Sequence, residues 1–167
     1  MAAADGGPAQ PELLIEGGYE DRLHNLFDHA QKEVTVIMYL AALPTDARPS
    51  HPVRRVLDHL IAVHKRGITV QALFDAGAPP DSGRPSEAAA AYLAAAGIPV
   101  RWDEDTRTTH IKAVIVDGRW SVVGSTNWTF SAMRSNRETS ICCDSPELAA
   151  KLTTVFAEAW AKGRPLP

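Results

Sequence analysis

A mixed α/β domain, built on a largely parallel β-sheet flanked by helices, is the fold this sequence predicts. Three observations carry it. Apolar, β-branched runs at Glu33–Leu40, Ile68–Phe74 and Ile98–Trp102 alternate with segments of helical periodicity. That rhythm belongs to parallel strands joined by packed helices. Beyond Trp102 it gives way to short strands around Asp117-Gly118, a hairpin signal that predicts an antiparallel pair. The third is size: 167 residues, 45% hydrophobic and 22% charged, are enough for one globular domain with its own core.

The elements follow in order. Residues 1–18 are rich in Ala, Gly and Pro and read as a flexible lead-in with a short ordered turn at Leu13–Ile15. The domain proper is expected over residues 19–163. Leu23, Leu26, Phe27 and Ala30 recur at helical spacing and predict a helix over Tyr19–Lys32. Glu33–Leu40 is a nearly unbroken apolar run, suited to a strand covered on both faces. Pro44, Pro49 and Pro52 mark an irregular loop, with Pro52 placed to open the helix Val53–Arg66 and Gly67 to stop it. The strand Ile68–Phe74 leads to a Pro/Gly/Ser loop at Gly77–Pro85. An Ala-rich helix over Ser86–Ala96 ends at Gly97, before the strand Ile98–Trp102. Lys112–Val116, Trp120–Val123 and Thr139–Cys143 are the later strands, and Pro146–Ala161 closes the chain as an amphipathic helix.

Composition narrows the function classes. No apolar run approaches the ~20 residues that span a bilayer, and Met1–Pro11 lacks the features of a signal peptide. The two cysteines, Cys142 and Cys143, are adjacent, which argues against a disulfide and for a reducing, cytoplasmic setting. A net charge of −3 argues against attachment to nucleic acid by bulk positive charge. The charge is unevenly spread: Arg101–Arg137 holds six basic and four acidic residues, so the positive charge collects there.

That stretch also holds the chemistry. On an extended strand His110 and Lys112 project from one face and offer an imidazole and an ammonium to one spot. A phosphodiester needs both, a nucleophile or proton carrier and a cation for the charge on the phosphoryl oxygens. Gly124-Ser125-Thr126-Asn127 ends the next strand, where a glycine admits a ligand close to the backbone and Ser and Asn donate to phosphate oxygens. If Asp117-Gly118 reverses the chain, this loop returns beside His110. Glu138 then supplies a carboxylate to orient the imidazole.

His110-x-Lys112-x4-Asp117, followed by Gly124-Ser125-x-Asn127 and by Glu138, resembles the HKD motif of the phospholipase D superfamily. The likeness extends more loosely from Tyr19 to Gly163. It implies a phospholipase D-like fold and a two-step phosphodiester exchange with no metal and no cofactor. In that scheme His110 attacks phosphorus to give a phosphohistidine, and a second histidine protonates the leaving oxygen and then activates water. Lys112 and Asn127 clamp the non-bridging oxygens, Ser125 helps to position them, and Asp117 and Gly124 support the architecture. The superfamily's site takes two such motifs, and this chain has one. His24, His29, His51, His59 and His64 lack the pattern. A two-fold homodimer, the arrangement of the small single-motif members, is therefore expected to complete the site.

Trp128 and Arg134 are further candidates for substrate contact, the former by stacking, the latter as part of a groove for a polyanion. Asp103-Glu104-Asp105 reads as a solvated loop rather than a metal site. The leading expectation is a nonspecific nuclease acting on DNA or RNA, with its specificity open to a partner protein and no stable membrane anchor. A phospholipid hydrolase or phosphatidyl transferase is the first alternative. The second is a non-catalytic phosphate-binding or dimerising module of a genome-maintenance or phage-defence complex.

Overall fold

Residues 10–15, 17–77, 84–104 and 106–166 are described by the computed structural model. The first nine residues of the expected lead-in, most of the expected Gly77–Pro85 loop, and Asp105 lie outside them. The described chain forms β1 (Glu12–Ile15), α1 (Gly18–His29), β2 (Glu33–Met38), α2 (Pro52–Lys65), β3 (Thr69–Phe74), α3 (Glu87–Ala95) and β4 (Val100–Trp102). The second half adds β5 (Lys112–Val116), β6 (Trp120–Gly124), α4 (Phe130–Arg134), β7 (Thr139–Asp144), α5 (Pro146–Lys162) and β8 (Arg164–Pro165).

All eight strands join one mixed sheet in the order β1-β7-β6-β5-β2-β3-β4-β8. The sheet is mostly antiparallel, which corrects the expectation of a largely parallel one. Only β2-β3 and β3-β4 run parallel among the described pairs. The cause lies between β4 and β5, where no helix returns the chain for a parallel crossover. β5 instead runs antiparallel beside β2, with Met38 opposite Lys112.

Helices cover both faces. Leu23 and Phe27 of α1, Val56, Leu57 and Leu60 of α2 and Leu93 of α3 are fully buried in the larger core with Val34, Val36, Met38 and Val114. Phe156 of α5 packs on the opposite face against Ile37 and Leu73. β2 is therefore covered on both faces, as its nearly unbroken run of apolar residues requires.

Three elements were not expected. β1 falls inside the presumed flexible lead-in and pairs with β7, Leu13 facing Ile141. Four residues, three of them exposed, carry a weak local signal, and pairing across more than 120 positions holds them. α4 is one short turn whose Thr129 cap accepts the Ala132 amide at 3.1 Å. β8 is only two residues against β4.

Candidate active site

Every strand end that matters for chemistry points to one edge of the sheet. The carboxyl ends of β2, β3, β4 and β6 meet the beginnings of β5 and β7 there, the edge at which open α/β sheets receive ligands.

His110 stands in the loop just before β5. Two buried carboxylates shape that loop. Asp75, one residue past β3, accepts the Thr109 amide at 2.7 Å and the Gly77 amide at 2.9 Å. Asp103, one residue past β4, accepts the Thr109 hydroxyl and the Glu104 amide. Asp103 is thus a buried brace of the His110 loop, against its expected place in a solvated run of acids. The His110 side chain is exposed, and its imidazole lies against the Tyr39 ring with centroids 4.3 Å apart. Beside it a cleft of about 320 Å³ opens between this loop and α5.

Lys112 opens β5 two residues on, and it is buried, with 6% of its surface exposed. Its Nζ donates to the His110 carbonyl at 3.0 Å and lies 4.6 Å from the centroid of the same Tyr39 ring. Burial pulls the lysine below its ordinary pKa, while the Glu138 and Asp75 carboxylates act in the opposite direction. One aromatic ring therefore carries the imidazole and the ammonium together.

Ser125 and Glu138 meet across the β6-β7 pair. The Ser125 hydroxyl donates to Glu138 Oε2 and accepts the Thr139 amide at 3.1 Å. Asn136 Nδ2 donates to Glu138 Oε1 at 3.0 Å. Both oxygens of the carboxylate are thus held within the chain, and among the described residues its hydrogen-bond partners do not include His110. Asn127 follows on the same loop, half-buried, with its Oδ1 enclosed and without a hydrogen-bond partner among the described residues.

Other candidates occupy different places. Asp117 sits at the far end of β5, where its carboxylate accepts the amides of Gln31, Lys32 and Glu33 at 2.7–3.1 Å. It shapes the entry to β2, with its own backbone at φ 57° and Gly118 at φ 63° completing the turn. At Gly124, which is exposed, a Cβ would collide with Ser140 and the Thr139 carbonyl, so the glycine lets β6 and β7 close. Trp128 is fully buried and donates its Nε1 to the Tyr19 hydroxyl at 3.0 Å, which removes it as a substrate contact. Arg134 is bound to the buried Glu20 at 2.5 Å, with Arg55 3.2 Å from the same carboxylate. It lines a separate cleft of about 420 Å³ with Asn136.

Tyr39, Asp75 and Asn136 are the members that sequence reasoning passed over. Tyr39 and Asp75 each end an apolar strand run, and a polar or aromatic residue at that position was the available signal. The assembly presents an exposed imidazole, a buried cation behind it, and the Asn127 amide on the loop after β6, a set suited to an anionic diester. Among the described residues no group of three or more His, Cys, Asp or Glu side chains is placed to hold a metal ion. Nor is any helix there long and apolar enough to cross a membrane.

Comparison with known proteins adds the family. A family model described as cardiolipin synthase, PLD-like domain, matches residues 23–160. Mitochondrial cardiolipin hydrolase of Danio rerio is 35% identical over 107 residues, covering 64% of this chain and 45% of that protein. The Homo sapiens protein of the same name is 32% identical over 103 residues, 62% of this chain and 39% of its own length. The match thus spans less than half the length of these two relatives. Among solved structures, the phospholipase D family member Nuc from Salmonella typhimurium superposes with a TM-score of 0.77 at 26% identity, over 94% of this chain and 99% of that one. Phosphatidylserine synthase from Haemophilus influenzae shares the fold, with a TM-score of 0.70 at 16% identity over 93% of this chain and 40% of that one. With the family model covering most of its length, this chain belongs to the PLD-like family, and so to the phospholipase D superfamily of phosphodiesterases.

Proposed function

We propose that this chain is a metal-independent phosphodiesterase that cleaves nucleic acid, DNA or RNA, through a covalent phosphohistidine in a site shared by two subunits. The observation that carries this reading is the exposed His110 imidazole set on the same Tyr39 ring as the buried Lys112 ammonium. In the first step His110 attacks phosphorus. A P–N bond forms, the P–O bond to the leaving group breaks, and the second histidine gives its proton to the departing oxygen. In the second step water attacks phosphorus, its proton passes to the second histidine, and the P–N bond breaks to free the product and His110. Lys112 and Asn127 hold the non-bridging oxygens, with Ser125 beside them.

The second histidine is His110 of a two-fold partner. Support comes from the single motif and from Glu138. That carboxylate is fixed by Ser125 and Asn136 and makes no hydrogen bond to its own His110 among the described residues, and its remaining lone pairs can accept from a facing imidazole. A reducing, cytoplasmic setting belongs to the same reading, with Cys142 and Cys143 both free thiols.

A second reading, hydrolysis of a phospholipid diester, is favoured by one finding: the relatives named above are cardiolipin hydrolases. One experiment separates the two. Wild type and His110→Ala are incubated in excess EDTA with labelled single- and double-stranded DNA and RNA, and with cardiolipin in mixed micelles. Cleavage of nucleic acid that survives EDTA and vanishes in the variant is the expected result. Turnover confined to cardiolipin would move the assignment to lipid, and cleavage abolished by EDTA would overturn the metal-free mechanism.

A further inference from the structure

Burial of Trp128 leaves the loop after β6 with one other aromatic side chain, and that one faces outward. Phe130 is 54% exposed, and it is the one aromatic among the large exposed hydrophobic residues described. Its position is set by the strand-like passage before it. Trp128 donates its amide to the Leu40 carbonyl at 2.9 Å and accepts from the Ala42 amide at 2.8 Å, so this passage runs alongside the segment leaving β2. Thr129 then caps α4 and turns Phe130 onto the Pro44–His51 loop. The same passage carries Ser125 and Asn127 at its start, so Phe130 follows Asn127 by three residues.

The ring has a built surround. The His51 imidazole lies beside it with centroids 5.6 Å apart and planes inclined at 42°. Together they border a cleft of about 260 Å³ whose lining residues include Pro44, Asp46, Ala47 and Arg48. An open aromatic face, an imidazole at its side, an exposed guanidinium for a phosphate and a carboxylate for an amino edge match a nucleotide. A lipid surface would call for a wider apolar face rimmed by several cations, and a stable protein interface for more than one ring.

We propose that Phe130, flanked by His51, is a stacking platform for a nucleobase of single-stranded nucleic acid whose phosphate is held through Asn127, three residues before it. The proposal rests on the nucleic-acid reading of the site and narrows it: unpaired bases are engaged, and without sequence preference, because every base has a π-face.

The test uses the full chain and two single-stranded substrates of equal length and phosphate number, one of thymidines and one abasic throughout. Rates are measured in excess EDTA for wild type, Phe130→Ala and Phe130→Trp, with the mass in solution followed by light scattering. Stacking is worth roughly 1–3 kcal/mol per base, or about 5- to 150-fold. Phe130→Ala should therefore lose about 5- to 150-fold in kcat/KM on the thymidine oligomer and nothing on the abasic one, and Phe130→Trp should restore the loss. Equal losses on both substrates, or no loss on either, would overturn the platform while leaving the nuclease reading in place. A fall in mass with Phe130→Ala would identify the ring as a contact between copies and overturn it too. If wild type turns over neither oligomer, the platform on single-stranded DNA fails, while the nuclease reading is decided separately by the panel of DNA and RNA substrates above.

Discussion

The ring of Tyr39 joins the two groups of the motif: the His110 imidazole lies 4.3 Å from its centroid and the Lys112 ammonium 4.6 Å. The Tyr39 amide is itself tied to the Ile111 carbonyl at 2.8 Å, so the ring is fixed to the same loop it supports. Tyr39 is a positioning residue in this arrangement. It limits the rotation of the imidazole and offers its π-face to a cation that has little water around it.

Replacing that ring tests the arrangement directly. Tyr39→Phe keeps the π-face and should retain kcat within about twofold, whereas Tyr39→Leu keeps bulk but loses the cation site and should lower kcat by about 10- to 100-fold. KM should move less than kcat, because the defect lies in the geometry of attack. Steady-state kinetics of the two variants on one substrate decide it. Equal activity in both would show that the ring does no more than fill space.

Lys112 predicts an exchange of stability for activity. Burial holds its pKa below the ordinary lysine value of 10.5, so carrying the charge costs the folded state. Because the folded-state pKa is the lower one, that cost is complete at neutral pH and fades as pH climbs toward the ordinary value. Lys112→Met should therefore raise Tm by about 2–4 °C at pH 7, as expected for ~1 kcal/mol in a chain of this size. The gain over wild type should shrink as the pH approaches 10. Activity should fall by roughly 10²- to 10³-fold with the loss of the phosphate clamp. Thermal unfolding across pH measures the first, and a variant less stable than wild type at pH 7 would contradict the argument.

How much of this was legible in the sequence divides along physical lines. That His110, Lys112 and Ser125 share one edge followed from strand alternation and one hairpin turn, both local signals, whereas Glu138 entered through its place in the motif. Their mutual geometry was less accessible. The pairing of Glu138 with Ser125 and Asn136, in place of its own His110, depends on the β6-β7 register. Trp128 followed the phosphate loop in sequence and looked like a contact, yet a parallel bridge to Ala41 turns it into the core. The antiparallel entry of β5 beside β2 was hidden for a similar reason, since apolar runs specify strands but not their partners. Local pattern sets faces and turns, while long-range pairing decides which faces meet.

Asp117 offers a case in which motif membership and chemistry part. It lies at the other end of β5 from His110 and satisfies three backbone donors at the start of β2. Asp117→Ala removes those acceptors and should cost about 1–2 kcal/mol, a fall of roughly 2–8 °C in Tm. The kcat of the folded fraction should stay within about twofold of wild type. Calorimetry and active-site-normalised rates check the two halves separately, and a large loss of kcat with unchanged Tm would assign Asp117 to the chemistry instead.

The shared site makes a prediction that no single variant can imitate. If two copies of His110 are both required, a subunit lacking the histidine inactivates any dimer it enters. Wild type mixed with His110→Ala and allowed to exchange should then lose activity with the square of the wild-type fraction, so an equal mixture retains about a quarter of the undiluted rate. Independent sites would retain half. The same samples should show by light scattering a mass of twice the 18.0 kDa chain. Loss in proportion to dilution, with that dimer mass present, would place a complete site in each subunit. The second proton carrier would then have to be sought within the chain.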